Sequence, residues 1–540
     1  LALSKGHFLM SERATFPKLP MRRAMRRESA AAGFRPAIDS SLPVPAVRQL
    51  YLQLRDAIVG GALRAGDRLP STRTASAEWS LSRGLVAEAY DVLIAEGYAI
   101  GKHGSGTYVT DDLPLPKIEG NSSRNARSSA SRRRISAAAR LAMSFETHPG
   151  QVAFATGRVI HDMRTAVLLK RLAHRHIDYA SDGYRDAQGE PALREAVAAY
   201  LTASRGVRCD PRQVFITSGT QQALDLAIRV LMSPGETALI ENPCYPPARQ
   251  AFLLNGARLV GAPVDSKGMI TETLASSDGL APVVIYVTPS HQYPSGSALP
   301  LTRRLQLLAF AQRQGSWIIE DDYDSEFRYE GHPIASLQGL DTGGCVIYAG
   351  SFSKALLPGF RVGYLVVPDD LVAAFRAVRP IVDRFPAPLH QLVVADFLSE
   401  GYFPAHLRRL RESSRASRDL LFDLLKERLS EHLVALLPEQ GVHLTARSTG
   451  SWRDDCALAR AALDGGVVVI PTSPMHIGAP AEPRLLLGFS GLTAAETDIA
   501  TRRLAEVFRS SAKTAKLRPD ESKQSKRDRR QARSRPLKSV

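Results

Sequence analysis

Apolar residues change their spacing several times along this chain, and each change marks an element. From Pro45 onward Val47, Leu50, Tyr51, Leu54, Ile58 and Val59 recur at helical spacing until Gly60-Gly61. That pattern predicts one amphipathic helix with a glycine stop. Leu63–Ser71 reads as a turn ending in a helix N-cap, and a short helix is expected to about Trp79. Ser82 caps another helix, whose apolar face carries Val86, Tyr90, Leu93 and Ile94 and which stops near Gly97. Tyr98-Ala99-Ile100 and Thr107-Tyr108-Val109 flank Gly101-Lys102-His103-Gly104-Ser105-Gly106, a hairpin with a Gly-rich basic tip. Three helices and a hairpin in about 65 residues predict a winged helix-turn-helix.

Further along, the period changes again. Gln213–Thr217, Ala238–Ile240, Val283–Thr288, Trp317–Ile319 and Cys345–Ala349 are short apolar runs separated by helical stretches. This predicts an α/β domain with a mostly parallel sheet, helices on both faces and motifs at strand C-termini, where such sheets bind ligands. Beyond Pro368 the pattern is helical to about Leu429, followed by a smaller C-terminal α/β subdomain. Residues 1–44, 111–150 and 513–540 show no sustained period and are rich in Ser, Arg, Pro or Lys. The expected organisation is a basic N-terminal segment (1–44), the winged helix-turn-helix (45–110), a linker (111–150), the large domain (151–512) and a basic tail (513–540). Neither flank nor linker is expected to fold.

Charge sharpens this division. The three irregular segments carry +5, +3 and +8, which is all of the +16 net charge. The segments with folding patterns are therefore neutral together, and the polycationic ones suit non-specific contact with DNA phosphates, or serve solubility alone. No apolar run reaches the roughly 20 residues of a membrane span. Arg22, Arg23, Arg26 and Arg27 are followed by no apolar stretch of signal-peptide type. Met10, Met21 and Met25 are alternative starts. Cys209, Cys244, Cys345 and Cys456 lack CxxC spacing, which argues against a zinc site or disulfide framework and fits a reducing cytoplasm.

Two stretches carry the candidate chemistry. Ser351-Phe352-Ser353-Lys354 and Arg361 lie between two strand-like runs. A lysine held in a tight loop beside a cation can lose its proton and become carbonyl-reactive, and the serines with Arg361 can bind a phosphate. Together these suggest pyridoxal 5'-phosphate held as a Schiff base; alone, they describe a surface lysine in a Ser-rich turn equally well. The second stretch, Glu320-Asp321-Asp322-Tyr323-Asp324, ends a buried strand in carboxylates. Asp321 is placed to keep a pyridine nitrogen protonated, and Tyr323 to bond the cofactor's phenolic oxygen. No His ligands flank this acidic run, so a metal is not expected. Ser218-Gly219-Thr220-Gln221 opens a helix after a strand, a backbone arrangement suited to the phosphate.

In this order the SFSK and DDYD elements resemble the fold-type I pyridoxal-phosphate enzymes of the aspartate aminotransferase class. The phrases ALRAGDRLPSTR, LSRGLVAEAYDVLIAEGY and GKHGSGTYV resemble GntR domains. The whole chain is identified as resembling the MocR subfamily of GntR bacterial regulators, over roughly residues 45–110 and 151–510. The resemblance implies a cytoplasmic bacterial transcription regulator, a head-to-tail homodimer that binds operator DNA and senses an amino compound or pyridoxal phosphate itself. It places Arg73, Ser82 and Arg83 at DNA, with Lys102, His103 and Gly104 in the wing. It puts Tyr245 against the pyridine ring, Tyr184 at the neighbouring protomer's cofactor phosphate, and Arg484 on a ligand's α-carboxylate. Arg249 either faces the ligand or solvates a helix. Aminotransferases usually carry Asn where this chain has Tyr293, as MocR proteins commonly do, which weakens an alternative reading as a working aminotransferase with a DNA-binding module. GntR members usually carry a polar pair and a basic residue where this chain has Gly84, Leu85 and Glu88. That departure leaves sequence readout open.

Overall fold

A computed structural model describes residues 34–111, 135–143, 153–178, 183–276, 281–332, 334–449, 452, 454–478 and 482–517. It divides into two compact units, with the boundary between Arg134 and Ile135. The basic runs expected at 1–33, 112–134 and 518–540 lie outside the described residues.

The first unit contains α1 (Ala46–Val59), α2 (Thr72–Trp79), α3 (Arg83–Ala95), and a hairpin of β1 (Ala99–Lys102) and β2 (Gly106–Val109). Ser71 caps α2 by accepting from the Thr74 N–H at 3.1 Å, and Ser82 caps α3 by accepting from Leu85 at 3.2 Å. Leu50, Leu54, Ile58, Val86, Leu93 and Val109 meet in one core. Tyr90 threads through it and donates its hydroxyl to the Pro70 carbonyl, tying α3 to the turn before α2. The expected winged helix-turn-helix is present.

One boundary differs from expectation. Residues 34–44 were expected to lack structure, yet they pack on this unit. The Phe34 ring meets Trp79 edge to face at 5.8 Å, and the Trp79 indole N–H donates to the Phe34 carbonyl. Gln49 accepts from the Asp39 N–H and donates to the Asp39 and Val44 carbonyls. Gln53 exchanges two similar bonds with Ala37. Side-chain amides on α1 thus substitute for a strand partner, and such a segment has no hydrophobic period to betray it. The expected linker likewise contains a short helix, Ala137–Ala142, capped by Ser136.

The second unit is built on an eight-stranded sheet in the order β3-β10-β9-β8-β7-β4-β5-β6. The strands are β3 (Val214–Thr217), β4 (Thr237–Asn242), β5 (Arg258–Asp265), β6 (Gly268–Met269), β7 (Val284–Val287), β8 (Trp317–Asp322), β9 (Val346–Ser351) and β10 (Gly363–Val366). From β9 to β5 the pairing is parallel; β10 runs antiparallel between β9 and β3. The central parallel strands β4, β7, β8 and β9 are buried on both faces, which is why they read as continuous apolar runs. Helix α4 (Thr220–Leu231) follows β3, and α5 (Pro246–Leu254) follows β4. A second, antiparallel sheet has the order β11-β12-β14-β13, with β11 Leu433–Ala435, β12 His443–Ser448, β13 Ile470–Pro471 and β14 Arg484–Gly488. It packs its apolar face on α6 (Tyr402–Leu429) and α7 (Ala494–Leu517).

The reversal of β10 is what assembles the site. Gly363 pairs with Ser351 on one side and Thr217 on the other. The start of β10 therefore meets the ends of β9 and β3. A Cβ on Gly363 would lie 2.7 Å from the Gly219 Cα, so only glycine lets the three backbones come this close.

The buried Gln49 amide makes a direct prediction. Gln49→Ala removes its three bonds to Asp39 and Val44 and is expected to cost about 1 kcal/mol. A lower urea midpoint followed by Trp79 fluorescence would show this; an unchanged midpoint would mean that residues 34–44 add nothing to the fold.

Candidate functional site

In the first unit the candidate DNA contacts are laid out by the helix caps. Arg73 is exposed in the first turn of α2, and Ser82 and Arg83 are exposed at the start of α3. The Arg83 Nε lies 3.4 Å from the Thr72 hydroxyl, which bends the arginine back across the helix-turn-helix. The Ser82 oxygen is engaged as the cap, so the hydroxyl proton is what it has left to donate. Lys102, His103 and Gly104 are exposed in the hairpin turn, with Gly104 at φ 71° and the Lys102 ammonium 5.0 Å from the Tyr108 ring centre. Gly84 is exposed between Arg83 and Leu85 and offers no side chain.

In the second unit a cavity of about 270 Å³ opens at the C-terminal ends of the parallel strands. Lys354, Asp321, Tyr323, Tyr293, Tyr245, Ser351, Ser353, Arg361, Thr220 and Gln221 all line it. Ser218 and Gly219 shape the turn before α4 without lining the cavity: the Ser218 N–H donates to the Gln222 side chain, and Gly219 holds φ 100°.

At one end lies a cradle for an oxyanion. Arg361 sits in a left-handed conformation (φ 52°) that ends a short 3₁₀ turn, Pro358–Phe360. Its guanidinium lies flat on Gly219, where a Cβ would be 3.1 Å from a terminal nitrogen. Ser351 and Ser353 are hydrogen-bonded hydroxyl to hydroxyl at 2.8 Å beside it. The α4 N-terminus adds its free N–H groups and positive dipole end.

At the other end lies Asp321, only 2% exposed. Its Oδ2 accepts from the Tyr286 hydroxyl at 2.8 Å, while Oδ1 is buried with no partner. Burial pushes the carboxyl up to about 7. An orphaned carboxylate oxygen in a cavity wants a buried N–H, and a protonated pyridine nitrogen supplies one. Between the two ends Lys354 donates to the Thr156 carbonyl, and burial lowers its pKa toward the free amine. Tyr245 stands edge-on to Tyr293 at 5.1 Å. The Tyr323 hydroxyl lies 3.1 Å from His291 Nδ1, which is also bound to Asp324. A phosphate cradle, a buried lysine and an aspartate with one unpartnered oxygen fit pyridoxal phosphate in size and polarity.

Two expected contacts, Arg249 and Arg484, do not reach this cavity. Arg249 donates to the His476 carbonyl at 3.0 Å and ties α5 to a neighbouring loop, so neither ligand contact nor simple solvation describes it. Arg484 stands at the outer end of β14, 40% exposed at its side chain, and pairs with Glu482 at 3.2 Å. The residue of β14 that packs beside the cavity is Leu486, two positions on. Strand alternation puts both on one face, but about 7 Å apart along the strand. Tyr184 is 83% exposed, packed edge-on to Phe385 and outside its own protomer's cavity.

The structure adds residues that the motifs did not indicate. Thr156, Gly157, Val442 and His443 line the cavity. His443 is stacked on His291 at 5.1 Å, and burial drives its pKa well below the usual histidine value. A readable signal for it existed: His443 and Thr445 alternate with Leu444 and Ala446, whose side chains enter the core. Thr156 and Gly157 come from a segment without a motif, brought in only by the fold.

Comparison with known proteins agrees with this geometry. Residues 150–504 match the family model for aminotransferase class I and II, and residues 46–109 match bacterial regulatory proteins of the gntR family. The chain is 38% identical over 460 residues to the probable rhizopine catabolism regulatory protein MocR of Rhizobium meliloti, covering 84% of this chain and 92% of that one. It is 34% identical to the HTH-type transcriptional regulator TauR of Rhodobacter capsulatus, covering 70% and 79%. Among solved structures, α-aminoadipate aminotransferase LysN of Thermus thermophilus, complexed with N-(5'-phosphopyridoxyl)-L-leucine, superimposes with a TM-score of 0.62 at 28% identity, over 71% of this chain and 97% of that one.

Asp321 makes the site pH-sensitive in a defined direction. Without cofactor the folded chain keeps a proton up to about pH 7 that the unfolded chain releases near its ordinary value of 3.8. The stability this group contributes is complete below that lower value and is lost as pH rises through about 7. The melting temperature of cofactor-free protein should therefore fall from acid to neutral pH, and Asp321→Asn should make that fall shallower. An identical slope in the variant would exclude a buried Asp321 of this kind.

Proposed function

We propose, on the premise that the chain belongs to the MocR-type GntR regulators, a gntR-family DNA-binding domain fused to an aminotransferase class I and II domain, that it switches transcription in response to a small amine. The observation that carries this reading is a cavity with Lys354, Asp321 and Arg361 in one chain with a helix-turn-helix whose DNA-facing ends are exposed. Pyridoxal phosphate, when bound, supplies an aldehyde for which a ligand amine and a lysine amine compete.

The chain's own groups then have distinct tasks. Arg361, Ser351, Ser353 and the α4 N-terminus hold the phosphate. Asp321 holds a proton on the pyridine nitrogen, and Tyr286 orients its carboxylate. Lys354, whose pKa burial lowers, is the group that a ligand amine displaces. Its release alters what Lys354 and Thr156 do at the junction of the large sheet with the segment before β3. A ligand changes DNA affinity only by as much as it prefers one global state; a tenfold change needs about 1.4 kcal/mol of such preference. We further propose a head-to-tail homodimer, in which the exposed Tyr184 enters the partner's cavity and two winged helices span a two-fold operator. Arg73, Arg83 and Lys102 contact the DNA, with Arg83 nearest the base edges.

A second reading, an aminotransferase with a regulatory module, is favoured by the intact Lys354, Asp321 and Tyr323. It predicts steady interconversion of an amino donor with a keto acid. The switch predicts otherwise. On a duplex selected from a random pool by the protein itself, an amine that shifts the cofactor's visible band should also change the affinity at least severalfold. Lys354→Ala should abolish both responses while leaving basal DNA binding intact. If every band-shifting amine leaves DNA affinity unchanged, the switch is excluded. Arg83→Ala should weaken binding to the selected duplex by roughly tenfold or more in the same assay.

A further inference from the structure

One wall of the cavity is supplied by His443 of β12. β12 and β14 pair so that His443 faces Gly488, Thr445 faces Leu486 and Arg447 faces Arg484. One face of this sheet thus runs from His443 at the cavity, through Leu486, to two arginines at the open rim. Leu486 is fully buried and forms a cluster with Tyr293 and Met475, against which Tyr245 and Tyr323 pack. Arg484 and Arg447 are 40% and 42% exposed at their side chains and share Glu482, at 3.2 and 3.9 Å. The guanidinium expected to meet a carboxylate in this part of the cavity therefore lies outside it, paired with Glu482.

We infer that the amine accepted here carries no α-carboxylate. This rests on the amine-sensing reading above and narrows its ligand class. An α-amino acid brings its carboxylate next to the reacting nitrogen, and a desolvated carboxylate needs a cation or several charge-assisted donors. Among the described residues lining the cavity the side-chain cations are Lys354 and Arg361. Lys354 is the group the ligand displaces, and Arg361 lies on Gly219 in the phosphate cradle. His443, the third basic group, is fully buried beside His291 and Lys354, which holds it neutral. A carboxylate placed against Tyr293, with Leu486 packed behind it, would lose its water with no cation in return. Hydroxyl groups are provided for: tyrosine hydroxyls surround the space, and His443 Nε2 is a buried nitrogen without a hydrogen-bond partner. The class is a primary amine that is otherwise uncharged, with hydroxyls tolerated.

The test uses full-length protein loaded with pyridoxal phosphate, titrated by its visible band with matched pairs: ethanolamine against L-serine, and tyramine against L-tyrosine. In each pair the carboxylate-free member should bind at least tenfold more tightly. Leu486→Arg should shift that ratio at least tenfold toward the amino acid, and Leu486→Gln, which keeps the volume without a charge, should narrow it. Arg484→Ala should leave the ratio within twofold. Tighter binding of the amino acids by the natural chain would overturn the inference, as would loss of amino-acid binding in Arg484→Ala. In either case the band still moves and the amine-sensing reading stands. A band that moves with none of the four probes would instead overturn that reading, and this inference with it.

Discussion

Everything in the larger unit depends on keeping Lys354 and Asp321 dry in the same cavity. Removing either charge from water is costly, and neither group has a full set of partners: Asp321 Oδ1 has none, and Lys354 makes one bond to a backbone carbonyl. Burial has shifted both toward their neutral forms. Asp321 would hold the ring nitrogen of a phosphorylated pyridine aldehyde and Lys354 would lie at its carbonyl, which would offset both costs. Cofactor binding and stability would therefore be linked through this cavity.

The geometry that makes this cavity is the reversed strand β10. Because it runs against its neighbours, its first residues arrive where theirs end, and Arg361 lands beside Ser351 and Gly219. The left-handed Arg361 and the glycines at 219 and 363 follow from that convergence: three backbones and a guanidinium occupy space that would otherwise hold side chains. Tyr286 and Thr156 play the same kind of role for Asp321 and Lys354. They carry no chemistry of their own and fix where it happens.

The smaller unit follows a different logic. Its core is ordinary, and its function lies in which charges the helix caps leave outside. Ser71 and Ser82 fix where α2 and α3 begin, so Arg73 and Arg83 emerge at helix starts rather than along helix faces. The amide bridges from Gln49 and Gln53 then fasten residues 34–44 across α1. This gives the unit a structured edge in which amide hydrogen bonds add to the packing of Phe34 and Ile38 on the core.

The sequence by itself determined the elements and their chemistry. The helical period of residues 47–59, the caps at Ser71 and Ser82, and the continuous apolar runs of the parallel strands each have local causes, and the structure contains them all. Lys354, Asp321 and Arg361 were legible because a strand end, a tight turn and a charged side chain are adjacent in the chain. What the sequence did not determine was distance between residues far apart in it. Arg484 has the right chemistry for a carboxylate and sits on the right strand, yet Leu486 is the residue beside Tyr293, because the pairing of β14 with β12 and β13 sets how far along the strand the cavity lies. Arg249 is taken up by a carbonyl more than 200 residues away, and Thr156 enters from a segment with no motif at all. A residue's type and local period are properties of a few neighbours. Which partner it meets is a property of the whole sheet and is set by long-range strand pairing.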